Sequence, residues 1–221
     1  MHQDNARAVA GADVVVLAVK PQVMADVAKE IAVPVQEAGA VVISVAAGIT
    51  IDSLQRWLGA GAAIVRCMPN TPALLRCGAS GLYASDRVSP AQTRYAEFAL
   101  SAVGTTHWVA REQLLDAITA LSGSGPAYFF LFLEAMIDAA CELGLDRETA
   151  TGLARQTALG AARMAIEGDV DLPELRRQVT SPGGTTERAL QSFEESGLRD
   201  TVARAMSAAA QRAAEMSRTM G

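Results

Sequence analysis

From residue 13 to about residue 109 the chain alternates short apolar runs with amphipathic stretches. Asp13–Val19 is a continuous Val/Leu run that stops at Lys20-Pro21, and a strand apolar on both faces belongs in a parallel sheet covered by helices. Pro21 suits the first turn of a helix that carries Val23, Val27 and Ile31 on its apolar side. Val41–Val45 is the next strand, closed by Ala46-Ala47-Gly48, and Thr50–Leu58 a short helix. Ile64–Met68 is a third strand ending at Pro69; Ser80–Tyr83 and Thr105–Val109 are two more. Between these last two, Ser89-Pro90 places a cap and a first-turn proline in the right order. The helix they open has Tyr95, Phe98, Ala99, Ala102 and Val103 as its stripe, with Gly104 ending it. The pattern is α/β with a parallel sheet.

Near Val109–Arg111 the strand signals stop. Helical periodicity predicts segments at 111–121, 125–143, 147–167, 172–179, 186–196 and 199–217. Breakers separate them: Gly123, Gly125-Pro126, Gly144, Gly168, Pro182-Gly183-Gly184 and Gly197. The reading is two domains, α/β over 1–109 and all-α over 110–221.

The 125–143 helix has one polar stripe, Glu134, Asp138 and Glu142, on an otherwise apolar or small surface that includes Phe129, Phe130, Phe132, Leu133, Met136 and Ile137. Such a helix needs burial on several sides, and a domain of about 110 residues has little interior to give it. A subunit interface supplies the rest; a central helix in a monomeric bundle is the competing reading. The carboxylates read as a solvated stripe, since no histidine is near to complete a metal site. Alanines at 154, 158, 161, 162, 203, 209, 210 and 213 make small faces that let helices approach closely, although Ala is also the best helix former.

Composition narrows the chemistry. Acids outnumber bases 24 to 19, a net charge of −5, against the clustered positive charge that nucleic acid or an anionic membrane demands. Cys67, Cys77 and Cys141 are odd in number and lack CxxC spacing, so they read as reduced thiols of a cytosolic protein rather than a zinc site. His2 and His107 are the only histidines, too few for a histidine metal cage and poorly placed for a catalytic triad. No metal is expected. The longest apolar runs, Val14–Val19 and Tyr128–Leu133, fall far short of the ~20 residues of a membrane span, and Met1–Val9 carries no signal-peptide core.

Ligands of open α/β sheets bind outside the carboxyl ends of strands. Three junctions therefore matter: Ala18-Val19-Lys20-Pro21, Val45-Ala46-Ala47-Gly48 and Arg66-Cys67-Met68-Pro69-Asn70-Thr71-Pro72. The first two offer backbone and small side chains to a flat ring; the third holds Asn70 between two prolines as a stiff wall. Taken singly, each is first of all an ordinary turn, since Asn-x-Pro and Ala-Gly are common loop chemistry. Val179-Thr180-Ser181-Pro182-Gly183-Gly184-Thr185-Thr186 opens the 186–196 helix with two glycines, three hydroxyls and free N–H groups, which suits a small carboxylate. No Lys follows the glycines, so it is not a Walker loop, and a capped interhelix turn is the alternative. Leu121-Ser122-Gly123-Ser124-Gly125-Pro126-Ala127 is a second glycine-rich helix start.

In this order the segments VKPQ, AAGI, RCMPNTP, ALSGSGPAYFF and VTSPGGTT resemble those of pyrroline-5-carboxylate reductase, over about Ala12 to Ser217. The resemblance implies a Rossmann domain followed by a helical dimerisation domain, and reduction of a cyclic imine to proline by hydride from NADPH or NADH. It implies that Ala18, Val19, Lys20, Pro21, Val45, Ala46 and Ala47 contact the cofactor, with Met68, Pro69 and Asn70 near the nicotinamide. Ser181, Gly183, Gly184, Thr185 and Thr186 would hold the substrate carboxylate and ring nitrogen, with Gly125 lining the site and Thr186 closest to the chemistry. With no span and no signal core the expectation is a cytoplasmic protein, and the apolar 125–143 helix leads to that of a homodimer, with a ring of dimers as an open further step.

A reductase of this kind begins with a strand and a Gly-rich loop for the pyrophosphate, and no such motif precedes Asp13. The expectation is a truncated Rossmann sheet lacking about two βα units, on the order of 60 residues at ~30 per unit. Val14–Val19 would then be a bare edge, the residue that selects NADP over NAD would lie in the absent part, and the chain as it stands would bind the dinucleotide weakly. Two rivals stand beside this reading. A different imine or β-hydroxyacid reductase of similar plan would be expected to place an acid/base Lys in the helical half, and residues 111–221 contain no lysine. An inactive assembly module would keep the helical interface and bind no cofactor.

Overall fold

The computed structural model describes residues 4–220; His2 lies outside them. Five strands form one sheet in the order β1-β2-β3-β4-β5: β1 (Val14–Leu17), β2 (Val41–Ser44), β3 (Ala63–Met68), β4 (Gly78–Ala84) and β5 (Gly104–Trp108). β1, β2 and β3 are parallel, as the runs predict. β4 is antiparallel to β3, contrary to the all-parallel expectation. The reason is the link: only the short 3-10 turn Thr71–Leu75 joins them, and a parallel return needs a longer crossover.

Before β1 lies α1 (Asn5–Val9), a helix that periodicity did not reveal, capped by the Asp4 side chain. α2 (Pro21–Ala38) and α3 (Ile51–Leu58) cover one face of the sheet, and α4 (Pro90–Ser101) covers the other. Alternate residues of β2 feed the two cores: Val42 packs with Met24, Ile31, Leu54 and Leu58, while Val41 and Ile43 pack with Val65, Leu82, Ala96 and Leu100. The buried stripes differ from those expected. α2 buries Met24, Ala28, Ile31 and Val35, leaving Val23 exposed; α4 buries Ala96 and Leu100, leaving Tyr95 and Phe98 exposed. Several apolar residues on each helix fit a 3.6-residue period, and only the sheet beneath selects which set turns inward. Ser89 and Gln92 form a full capping box at the start of α4, but Ala102, not Gly104, follows its end. β1 is an edge strand, so Val16 is half exposed rather than covered.

The remaining elements are α5 (Leu114–Ile118), a π-helical turn at Thr119–Gly123, α6 (Gly125–Glu142), α7 (Arg147–Glu167), α8 (Leu172–Gln178), α9 (Thr185–Glu195) and α10 (Leu198–Thr219). Two compact units result: residues 1–126 with 206–221, and residues 127–205. In the first, the last turns of α10 are seated at the β2–α3 loop. A Cβ on Gly48, whose φ is +78°, would stand 3.2 Å from Met220 Sδ and 3.3 Å from Met216 Cβ.

The second unit buries little of its own apolar surface. Phe129, Phe130 and Leu131 on α6 are all more than 60% exposed, and Ala150 and Ala154 are its buried hydrophobic residues. An aromatic pair, Phe132 and Phe193, has ring centroids 6.1 Å apart. Asp138 of the acidic stripe pairs with Arg147 at 2.8 Å. The 29-residue run Leu114–Glu142, taken as one helical stretch, is long and apolar enough to cross a membrane by length and composition. Counting uninterrupted apolar residues does not find this stretch, because Ser122, Gly123, Ser124 and Gly125 interrupt the run.

Candidate functional site

The carboxyl ends of β1, β2 and β3 emerge side by side, about 4.8 Å from strand to strand. Ala18–Pro21, Val45–Ala47 and Met68–Asn70 extend them, so all ten residues expected at the cofactor occupy one end of the sheet. Ala46, Ala47 and Gly48 line a cavity with Cys67, Met68 and Asp116. The enclosed space there is about 30 Å³, that of a water molecule, while the small side chains and backbone that line it are of the kind a dinucleotide lies against.

Asn70 does more than stiffen its loop. Its Oδ1 accepts from Ala79 N–H at 2.9 Å, and its Nδ2 donates to Ser122 O at 3.0 Å. One side chain thereby ties the end of β3 to the start of β4 and to the turn that leads into α6. A Cβ on Gly123 would lie 2.7 Å from Met68 Cε, so the end of the Met68 side chain packs directly against this glycine. Gly125, buried at the first position of α6, follows two residues later.

Charges unforeseen in the sequence sit at the same end. Arg66 on β3 is buried and pairs with Glu112, Nη1 to Oε1, at 2.7 Å. The same Oε1 accepts Ile51 N–H at 2.8 Å, at the start of α3. Burial raises the Asp116 carboxyl above its ordinary range and Glu112 adds to this, while Arg66 and Arg218 oppose it. A signal was available: Arg66 interrupts an apolar strand, and a buried cation requires a partner. That the partner is Glu112, 46 residues on, is legible only in three dimensions.

In the second unit, Ser181–Thr186 form one exposed loop and helix start. Gly183 takes φ +71°, a left-handed conformation that favours glycine. Its N–H donates to Glu187 Oε2 at 2.7 Å, while Gly184 N–H donates to Ser181 O at 3.0 Å. The first helical bond of α9 is Arg188 N–H to Gly184 O, which leaves the Thr185 and Thr186 N–H groups as free donors of the first turn. Gly184 is the N-cap and α9 begins at Thr185, one residue earlier than the predicted start at 186. Among the described residues no cluster of His, Cys, Asp or Glu is arranged to hold a metal ion.

A mostly parallel sheet with small-residue loops at its carboxyl end, followed by helices that expose an apolar face, is the layout of a nucleotide-binding domain joined to an assembly domain. Comparisons with known proteins specify it. The family model described as pyrroline-5-carboxylate reductase dimerisation matches residues 112–216, and that described as NADP oxidoreductase coenzyme F420-dependent matches residues 1–48. The pyrroline-5-carboxylate reductase of Pseudomonas aeruginosa is 55% identical over 99% of this chain and 80% of its own length. That of Pasteurella multocida is 45% identical over 96% of this chain and 78% of its own. The solved pyrroline-5-carboxylate reductase of Coxiella burnetii superposes with a TM-score of 0.96 at 48% identity, covering 99% of this chain and 81% of that one. The Plasmodium falciparum pyrroline carboxylate reductase, solved with NADP bound, gives a TM-score of 0.86 at 32% identity, with coverages of 98% and 81%. The chain belongs to the pyrroline-5-carboxylate reductase family.

Proposed function

We propose the following division of labour for this protein. It is a pyrroline-5-carboxylate reductase, an NAD(P)H-dependent oxidoreductase that reduces 1-pyrroline-5-carboxylate to L-proline in proline biosynthesis. The observation that carries this is the Pseudomonas relative, matched over nearly the whole chain.

When bound, the reduced dinucleotide supplies the hydride. The loops Ala18–Pro21 and Val45–Ala47 form the backbone surface that receives it, and Met68, Pro69 and Asn70 stand at the nicotinamide. Support comes from their common position at the sheet's carboxyl end, and from Asn70, whose amide is spent on holding that wall rigid. Ser181, Gly183, Gly184, Thr185 and Thr186, with Gly125, hold the substrate. The free N–H groups of Thr185 and Thr186 suit its carboxylate, at the positive end of α9. The Thr186 hydroxyl accepts from the iminium N–H. A pyrroline imine is basic enough to arrive protonated, so the protein needs to orient an existing electrophile rather than supply a strong acid.

The homodimer is built by the helical part, whose exposed α6 requires a partner. We place the functional boundary near residues 109 and 110, between the end of β5 and the start of the dimerisation match. Further assembly into a ring of dimers is supported by Leu153, Leu159 and Ile166, which leave α7 with exposed apolar surface as well. We read the apolar stretch Leu114–Glu142 as interface rather than membrane span, because the dimerisation match covers it. The net charge of −5 supports the absence of a nucleic-acid partner. Three free thiols support a cytoplasmic location.

Thr186→Ala tests the reading. A hydrogen bond to a charged group contributes ~1.5–3 kcal/mol, so kcat/KM for pyrroline-5-carboxylate should fall about ten- to hundredfold. Thr186→Ser should restore most of it, and Thr185→Ala, which keeps its backbone N–H, should be milder. Wild-type turnover by folded Thr186→Ala would exclude the hydroxyl, as would a serine variant no better than the alanine one.

A further inference from the structure

Two loops proposed to receive the dinucleotide are held in register by a residue that belongs to neither. Ile51 follows Gly48 by three residues, and Arg66 precedes Met68 by two. Both donate to the same oxygen, Glu112 Oε1, at 2.8 and 2.7 Å. Glu112 itself arrives from the segment after β5. We propose that Glu112 is a positioning residue for the dinucleotide: it ties the start of α3 to β3 and so fixes the separation of the Ala46–Gly48 loop from the Met68–Asn70 loop. The inference rests on the reading that these loops bind the cofactor.

The stability of the fold alone does not call for this arrangement. A buried ion pair is frequently matched or exceeded by apolar residues of similar volume, because desolvating two charges offsets their attraction. What the pair adds is geometry. A carboxylate accepting from a backbone N–H and a guanidinium admits one arrangement of the two donors, where apolar packing admits several. Thr50 already caps α3 by accepting from Ser53 N–H, so the helix does not depend on Glu112 to begin. Glu112 serves instead to direct where that helix start sits against β3. Its loss removes no contact to the dinucleotide; it leaves the buried Arg66 without its counter-charge and releases the two loops from their fixed separation.

The test uses wild type, Glu112→Ala and Glu112→Gln. Hydrogen exchange of wild type at saturating NADPH reads whether Ala46–Gly48 and Met68–Asn70 become protected; NADPH affinity and the KM of each substrate are then measured for all three proteins. Protection of both segments is expected. Glu112→Ala should weaken NADPH binding about tenfold, and Glu112→Gln about threefold, since the amide oxygen still accepts from Ile51 but lacks the charge for Arg66. The KM for pyrroline-5-carboxylate should stay within about twofold, which separates positioning of the dinucleotide from a general loss of structure. If Glu112→Ala does not fold, Glu112→Gln decides alone. Protected loops with wild-type NADPH affinity in the variants would overturn the positioning role and leave the cofactor reading intact. An equal rise in both KM values would overturn it in favour of a structural role. No protection in wild type would overturn the cofactor reading, and the proposal with it.

Discussion

Phe129→Ala removes from α6 a ring that is 71% exposed in the single chain. On a monomer, a surface truncation of this kind stays within about 0.5 kcal/mol. In a dimer that covers α6, full burial of the ring would make the same change cost ~3–5 kcal/mol. The ring is already partly covered within its own chain, and the interface relaxes around the cavity, so ~2 kcal/mol per copy is the working figure. A two-fold dimer carries the change twice, which gives ~4 kcal/mol and about three decades in dimer Kd. Alanine is the better helix former, so a loss cannot be blamed on the helix itself. Sedimentation velocity over a micromolar-to-nanomolar dilution series reads the shift directly. Phe98→Ala is the control: that ring is 82% exposed on α4, outside the dimerisation match, and its removal should leave assembly unchanged. The reasoning fails if Phe129→Ala dissociates at the wild-type concentration, or if Phe98→Ala dissociates equally.

Gly48→Ala should lower stability by ~1–2 kcal/mol, because φ +78° strains any L side chain and the new Cβ meets Met216 and Met220; a fall in Tm of several degrees is the readout, and an unchanged Tm would refute the strain. Burial pushes the Cys67 thiol up to about 11 from 9.0, opposed by a hydrogen bond with Ser80. The unfolded thiol ionises first, so the stabilisation is whole below pH 9 and is lost as the pH rises towards 11, a change of ~2–3 kcal/mol at 1.36 kcal/mol per unit. Denaturant midpoints on either side of that window should fall more steeply in wild type than in Cys67→Ala, and equal slopes would remove the thiol as the cause.

Much of this protein is written in local chemistry. Ser89-Pro90, Pro21 and Thr50 mark helix starts because caps and first-turn prolines act within a few residues. The apolar runs locate all five strands for the same reason. The apolar circumference of α6 shows in the sequence too, and in the folded chain Phe129, Phe130 and Leu131 remain exposed. The motifs proposed for substrate and cofactor are legible as glycine, proline and small-residue junctions, and their combination points to the family.

Other features depended on the tertiary structure. The reversal of β4 follows from a link too short for a crossover, a property of strand direction rather than of any residue's preference. The inward faces of α2 and α4 were settled by the sheet they pack on, because more than one stripe fits the helical period. Asn70 became a latch only through Ser122 and Ala79, and Arg66 found its partner only at Glu112. Those contacts join residues far apart in the chain, and sequence patterns carry periodicity along the chain but not distance across it.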